Sequence, residues 1–203
     1  MRMRSRPRRS TRQFTEYASA HRRSDINMFF HLRRLRKISS LLDIDARKRL
    51  VCTLILTRVD YCNSALAGLA PMQLVLHAAA RFVLDLQPQD HVTVALQTLH
   101  WLLMRQRVTY KLCKLMHSVA FGYAPTYLLD AVVPVSMLPG RMHLRSAYKR
   151  LYDVPRVSSS VGSRAFSVAG PQAWNQLPTL VRQMDSIATF KRPVKTRLFC
   201  VPN

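Results

Sequence analysis

Acidic residues are scarce in this chain. Against 32 lysines and arginines it sets 10 aspartates and glutamates, and Glu16 is the one glutamate among its 203 residues. No two aspartates are adjacent; Asp43-x-Asp45 comes nearest. Metal-dependent polymerases and nucleases hold divalent ions on grouped carboxylates, so the sequence offers no such catalytic site. Asp43 and Asp45 read instead as the capped start of a helix. The five glycines lie far apart, which excludes a phosphate-cradling loop, and no serine sits in a Gly-x-Ser-x-Gly elbow. The four cysteines are scattered. With no apolar segment after the basic start to serve as a secretory signal, they read as reduced thiols of the cytosol or nucleus. Cys113-x-x-x-His117 places two metal-ligand types on one helical face but lacks a second pair, so a buried Cys and a surface His are expected there, without metal. His100, with no carboxylate near it in sequence, reads as a packing residue beside Trp101 rather than a base. His77 and Arg81 interrupt the longest apolar stretch, Leu74 to Leu86, so no membrane span is expected. These absences leave no cofactor, no metal and no small-molecule substrate to expect.

What is present is positive charge. The formal net charge is +22, and such a chain seeks polyanions, nucleic acid ahead of an anionic membrane surface. The cations fall into helical stripes. Arg33, Arg34, Arg36 and Lys37 crowd one short segment. Arg107, Lys111 and Lys114 recur along another, and Lys191 and Lys195 along a third. These nine are the candidate nucleic-acid-binding residues, and the expected target is a duplex or hybrid bound without sequence preference.

Hydrophobic periodicity predicts a mostly α-helical chain, a bundle with a smaller mixed α/β C-terminal region. Residues 1–27 read as a basic disordered tail, residues 28–133 as the helical region, 134–140 as a linker and 141–203 as the C-terminal region. The tail shares its composition with mitochondrial presequences, but Pro7 and the crowded arginines leave no amphipathic face. A helix is predicted over Phe29–Ile38 with Phe29, Leu32, Leu35 and Ile38 inward. Asp43 should cap a second, with Ile44, Leu50, Leu54 and Ile55 inward, and Gly68 should end the next turn. Pro71 should open a third running to Leu84, around Leu74, Ala78 and Phe82, its Ala79 and Ala80 allowing close approach. The central element is His91 to Val119. Met104, Val108, Leu112, Leu115 and Val119 share a face there, and Trp101 should plug a junction between two helices. A short helix is expected over Pro125–Val132 with Tyr127 and Leu128 inward, and a strand over Leu151–Val154. A turn is expected at Val168–Pro171, and a last helix from Ser186 to Phe199 interrupted by Pro193.

Several stretches carry a resemblance: Arg58-Val59-Asp60-Tyr61-Cys62-Asn63, Ala78-Ala79-Ala80-Arg81, Leu99-His100-Trp101-Leu102, Arg107-Val108-x-Tyr110-Lys111-Leu112, Ala124-Pro125-x-Tyr127-Leu128, Leu144-Arg145-Ser146, Ala165-Phe166-x-x-Ala169-Gly170-Pro171-x-x-Trp174-Asn175-x-Leu177-Pro178 and Phe190-Lys191-x-x-x-Lys195-Thr196-x-Leu198-Phe199. In this order they resemble the C-terminal part of the reverse-transcriptase polyprotein of non-LTR retrotransposons, the LINE elements of the Jockey superfamily, tick transposon proteins among them. The resemblance covers about Phe29 to Phe199. It implies a thumb-side region downstream of the polymerase palm, without the family's catalytic aspartates or endonuclease. The chain departs from the family pattern at Leu103, where the family has proline, in a shortened spacing near Val75, and at Pro193. The expectation is a truncated, non-catalytic fragment of an RNA-directed DNA polymerase that at most binds nucleic acid, in nucleus or cytoplasm. The rival reading is a basic structural protein of a ribonucleoprotein, in a mitochondrion if the tail is a presequence.

Overall fold

The computed structural model describes residues 27–62, 69–87, 89–138, 150–159 and 162–200. The expected basic tail, Asn27 apart, lies outside the described residues, as do Asn63, Gly68, the end of the linker stretch and Leu144-Arg145-Ser146. Among the described residues the chain is mostly α-helical and contains no strand. It divides into two compact units, Met1–Met104 and Arg105–Asn203, a boundary upstream of the compositional change at residues 134–140.

In the first unit, α1 spans residues 27–37. Met28, Leu32 and Leu35 are its buried stripe; Phe29 is half-buried and Ile38 lies 42% exposed beyond the helix end. A 3-10 turn, Ser39–Leu41, leads to α2 (Ile44–Val51). The Asp43 side chain accepts the Ala46 N–H at 2.9 Å, the predicted cap. The helix then widens into a π-helical segment, Cys52–Leu56, before α3 (Thr57–Cys62). Val51, Ile55, Leu56 and Val59 are buried, Ile55 as expected; Leu50 and Leu54 are half-buried, and Ile44, in the first turn of α2, is exposed. Helix α4 (Leu69–Leu84) starts before Pro71, which falls in the first turn, where a missing N–H costs no helical bond. It buries Met72, Val75, Leu76, Phe82 and Val83 together with Ala79 and Ala80, whereas Leu74, expected inward, is exposed. Helices α2 and α5 (Val92–Thr98) both pack on α4.

The predicted junction at Trp101 is a helix-terminating motif. His100 takes φ 54° after α5. The Trp101 N–H reaches Leu96 C=O at 2.8 Å, and the His100 N–H reaches Gln97 C=O at 2.9 Å. These are the paired bonds of a Schellman motif, with Trp101 and Leu96 both buried in its hydrophobic contact. The His100 ring is exposed, so His100 ends a helix rather than packing in the core. The Gln73 side chain then accepts the Met104 N–H at 2.9 Å, satisfying a donor at the start of α6 (Met104–Ala120).

The second unit is built on α6. Its core comprises Cys113, Met116, Val119, Val132, Tyr152, Ala173, Trp174, Leu177, Phe190 and Val194. Val108, Leu112 and Leu115, expected inward, are only half-buried. Helix α7 (Thr126–Leu129) packs Leu128 against the core but leaves Tyr127 69% exposed, contrary to expectation. Where a strand was expected over Leu151–Val154, there is a single antiparallel bridge between Pro134 and Tyr152. The Val168–Pro171 turn is absent, because helix α8 (Phe166–Asn175) runs through Pro171. Gly170 makes a tight approach there: a Cβ would sit 3.0 Å from Met116 Sδ and 3.1 Å from the Phe166 ring, so those side chains would have to give by a few tenths of an ångström. Helices α9 (Thr179–Arg182) and α10 (Ile187–Cys200) complete the unit, with Pro193 inside α10 as predicted.

Candidate nucleic-acid interface

Helix α1 carries the densest set of candidate residues. At 100° per residue, Met28, Leu32 and Leu35 define its buried side. Phe30, Arg33, Arg34 and Lys37 then fall together on the opposite side, within about 50° of its centre. All four are exposed, as is Arg36 on the flank. The segment 27–37 contains no acid. The Arg34 guanidinium lies 5.7 Å from the centroid of the Phe30 ring, within cation–π range. His31 meets Phe30 edge-on at 6.0 Å and bonds Arg58 Nη1 through Nε2 at 2.8 Å. A guanidinium only donates, so His31 Nε2 is the acceptor and the imidazole is neutral. Its pKa lies below the ordinary value through burial first, then the charges of Arg58 and Arg34. Charge and periodicity do not single out Phe30, His31 or Arg58 as parts of this face. The Phe30–Arg34 spacing of four was the available signal; the partnership of His31 with α3 had none.

The other candidates belong to the second unit. Arg107, Lys111 and Lys114 lie along α6 and are half-buried, with the Lys114 ammonium 5.9 Å from the Tyr110 ring centroid. Lys191 and Lys195 are exposed one turn apart on α10, and Lys195 lies 5.7 Å from the Phe199 ring centroid.

Other cations are structural. Arg47, 12% exposed, donates to Leu42 and Ser39 carbonyls at 3.2 and 2.8 Å and pairs with Asp85 at 3.6 Å. Its guanidinium lies over the Phe82 ring. Arg182 is buried and donates to Asn175 C=O at 3.0 Å, at the negative end of α8, and to Thr179 Oγ1 at 3.2 Å. Burial lowers its pKa.

In the Cys113–His117 pair the cysteine is buried as expected and the histidine is not where it was expected. Cys113 is buried, and burial pushes its thiol up to about 12, far from a thiolate ligand. His117 is buried as well, not on the surface. Its ring packs 4.4 Å from Phe190 and 4.6 Å from Phe121, and Nε2 lies 2.9 Å from Met184 C=O. A carbonyl only accepts, so Nε2 carries the proton, and Nδ1 is left buried without a partner. Among the described residues no three His, Cys, Asp or Glu side chains are grouped to hold a metal ion. No described helix is long and apolar enough to cross a membrane. No protein-family model, no curated protein and no solved structure matches the chain.

Proposed function

We propose that this chain is a thumb-side, non-catalytic part of a non-LTR retrotransposon reverse transcriptase and that it binds nucleic acid through basic helix faces. The observation that carries the binding is the outer side of α1, where Arg33, Arg34 and Lys37 stand exposed without an acid in the segment. Phosphates meeting such a face release condensed counterions, a sequence-independent source of affinity. The exposed Lys191 and Lys195 of α10 add a second face, and the half-buried Arg107, Lys111 and Lys114 a third. The non-catalytic part of the reading rests on carboxylates. Asp43, the nearest approach to a metal-binding pair with Asp45, is committed to capping α2.

The test has two arms. Fluorescence anisotropy of a labelled duplex against the full chain should give affinity that falls steeply with added salt; absent or salt-insensitive binding refutes the binding assignment. Primer extension on an RNA template with magnesium or manganese should give no product. Extension abolished by substituting Asp43 and Asp45 refutes the non-catalytic assignment.

A further inference from the structure

The centre of the outer α1 face is an aromatic ring, not a cation. Phe30 is 54% exposed and stands opposite the buried Met28–Leu32–Leu35 stripe, so burial in the first unit does not account for it. Cations flank it at the third, fourth and seventh positions along the helix, the last about 10 Å along the axis. We infer that this face, whose cations can grip the phosphates of any strand, is in addition a site for single-stranded nucleic acid. An unpaired base stacks on the Phe30 ring, and Arg33, Arg34, Lys37 and the neighbouring Arg58 hold the flanking phosphates.

The inference rests on the proposed nucleic-acid binding and adds the kind of ligand. Phosphate contacts along an undistorted duplex give a surface ring no task, because base pairs inside the stack bury their faces against one another. An unpaired base offers a π-face that any aromatic ring can stack on, whatever the sequence. Arg34, already in cation–π contact with Phe30, is placed to meet a phosphate or to extend the stack with its planar guanidinium. Charge suits an anionic lipid surface equally well, but the apolar content of the face favours the nucleic acid. Membrane docking needs several apolar side chains inserted together. The next exposed apolar groups after Phe30, Ile38 and Leu41, begin eight residues along, about 12 Å away at 1.5 Å per residue.

The experiment measures full-chain affinity for an unstructured single-stranded RNA, for a blunt duplex of equal length, and for phosphatidylserine-containing vesicles. The variants are Phe30→Leu, which keeps apolar bulk, and Phe30→Trp, which keeps a ring. Phe30→Leu should weaken single-strand binding roughly five- to 150-fold, the effect of losing one stacked base, and change duplex binding less than about twofold. Phe30→Trp should bind the single strand at least as tightly as the parent. Arg34→Gln should lower the single-strand salt slope by about 0.7. Equal losses on both nucleic acids, no loss on the single strand, or Phe30-dependent vesicle binding tighter than RNA binding would each overturn the inference. Salt-dependent binding that ignores Phe30→Leu removes this inference alone; no salt-dependent binding to either nucleic acid removes the proposed function with it.

Discussion

The Asn175 side chain grips the main chain of Tyr152 at both polar groups: Oδ1 accepts its N–H at 3.1 Å, and Nδ2 donates to its C=O at 2.7 Å. On the other edge of the same stretch, Leu151 C=O accepts from the Val135 N–H at 2.9 Å, and the Asp153 N–H reaches Val133 C=O at 2.8 Å. One edge thus pairs with the 133–135 segment, and an amide takes the place of a strand on the other. The adjoining Trp174 donates Nε1–H to Arg150 C=O at 2.7 Å, so consecutive residues of α8 anchor the segment.

Asn175→Ala should therefore destabilise the second unit by about 2–4 kcal/mol, because it orphans an N–H and a C=O in a part-buried site. Asn175→Asp should cost at least as much, since a carboxylate faces the Tyr152 carbonyl without a proton to donate. Urea denaturation followed by tryptophan fluorescence measures both. A change below about 0.5 kcal/mol, the range of ordinary surface substitutions, would show that the amide contributes nothing.

Gly122 ends α6 at φ 75°, with the Tyr123 N–H reaching Ser118 C=O at 2.8 Å and the Gly122 N–H reaching Val119 C=O at 3.2 Å. A Cβ there meets nothing within 4 Å, so the cost of Gly122→Ala is purely the left-handed backbone. The expected destabilisation is about 1–2 kcal/mol, and Gly122→Asn should cost less than alanine. Equal melting temperatures for glycine and alanine would contradict the motif.

Acid should loosen the second unit through His117. Burial, with Arg150 adding to it, holds the His117 pKa below the ordinary value, while the bond to Met184 and the charge of Asp185 oppose the shift. The unfolded chain then binds the proton more readily. Stability is fully present above the ordinary imidazole pKa of about 6.5 and is lost as pH falls below it. His31 and His77 are shifted in the same direction, so the parent alone does not isolate His117. His117→Gln, which retains a donor for Met184 C=O, should reduce the stability lost between about pH 7 and about pH 5. An unchanged loss would place the effect elsewhere.

What was legible in the sequence was local. The Asp43 cap, the helix break at Trp101 and the interior position of Pro193 each depend on neighbours along the chain. What failed depends on distant partners. His117 read as a surface residue because the side chains that enclose it, Trp174 and Phe190, arrive from α8 and α10. Of the expected α6 face, Met104 and Val119 are buried, but between them Cys113, Met116 and His117 are buried while Val108, Leu112 and Leu115 stay half-buried, because α8 and α10 pack on that side. Gly170-Pro171 reads as a turn because the pair usually breaks a helix, but α8 runs through it and the glycine eases the close approach to Met116. Among the candidate cations, the exposure of Arg33, Arg34, Arg36 and Lys37 followed from periodicity. The platform of Phe30, His31 and Arg58 did not, because it joins α1 to α3.

The measurement closest to the central claim is the salt dependence of duplex binding by the full chain carrying Gln at positions 33, 34, 36 and 37. These side chains are exposed, so far-UV circular dichroism should match the parent. If α1 grips the phosphates, the log–log slope should fall by about 0.9 for each of the four that contacts B-DNA, with affinity falling alongside. A slope and an affinity equal to the parent's would contradict the assignment of binding to the α1 face.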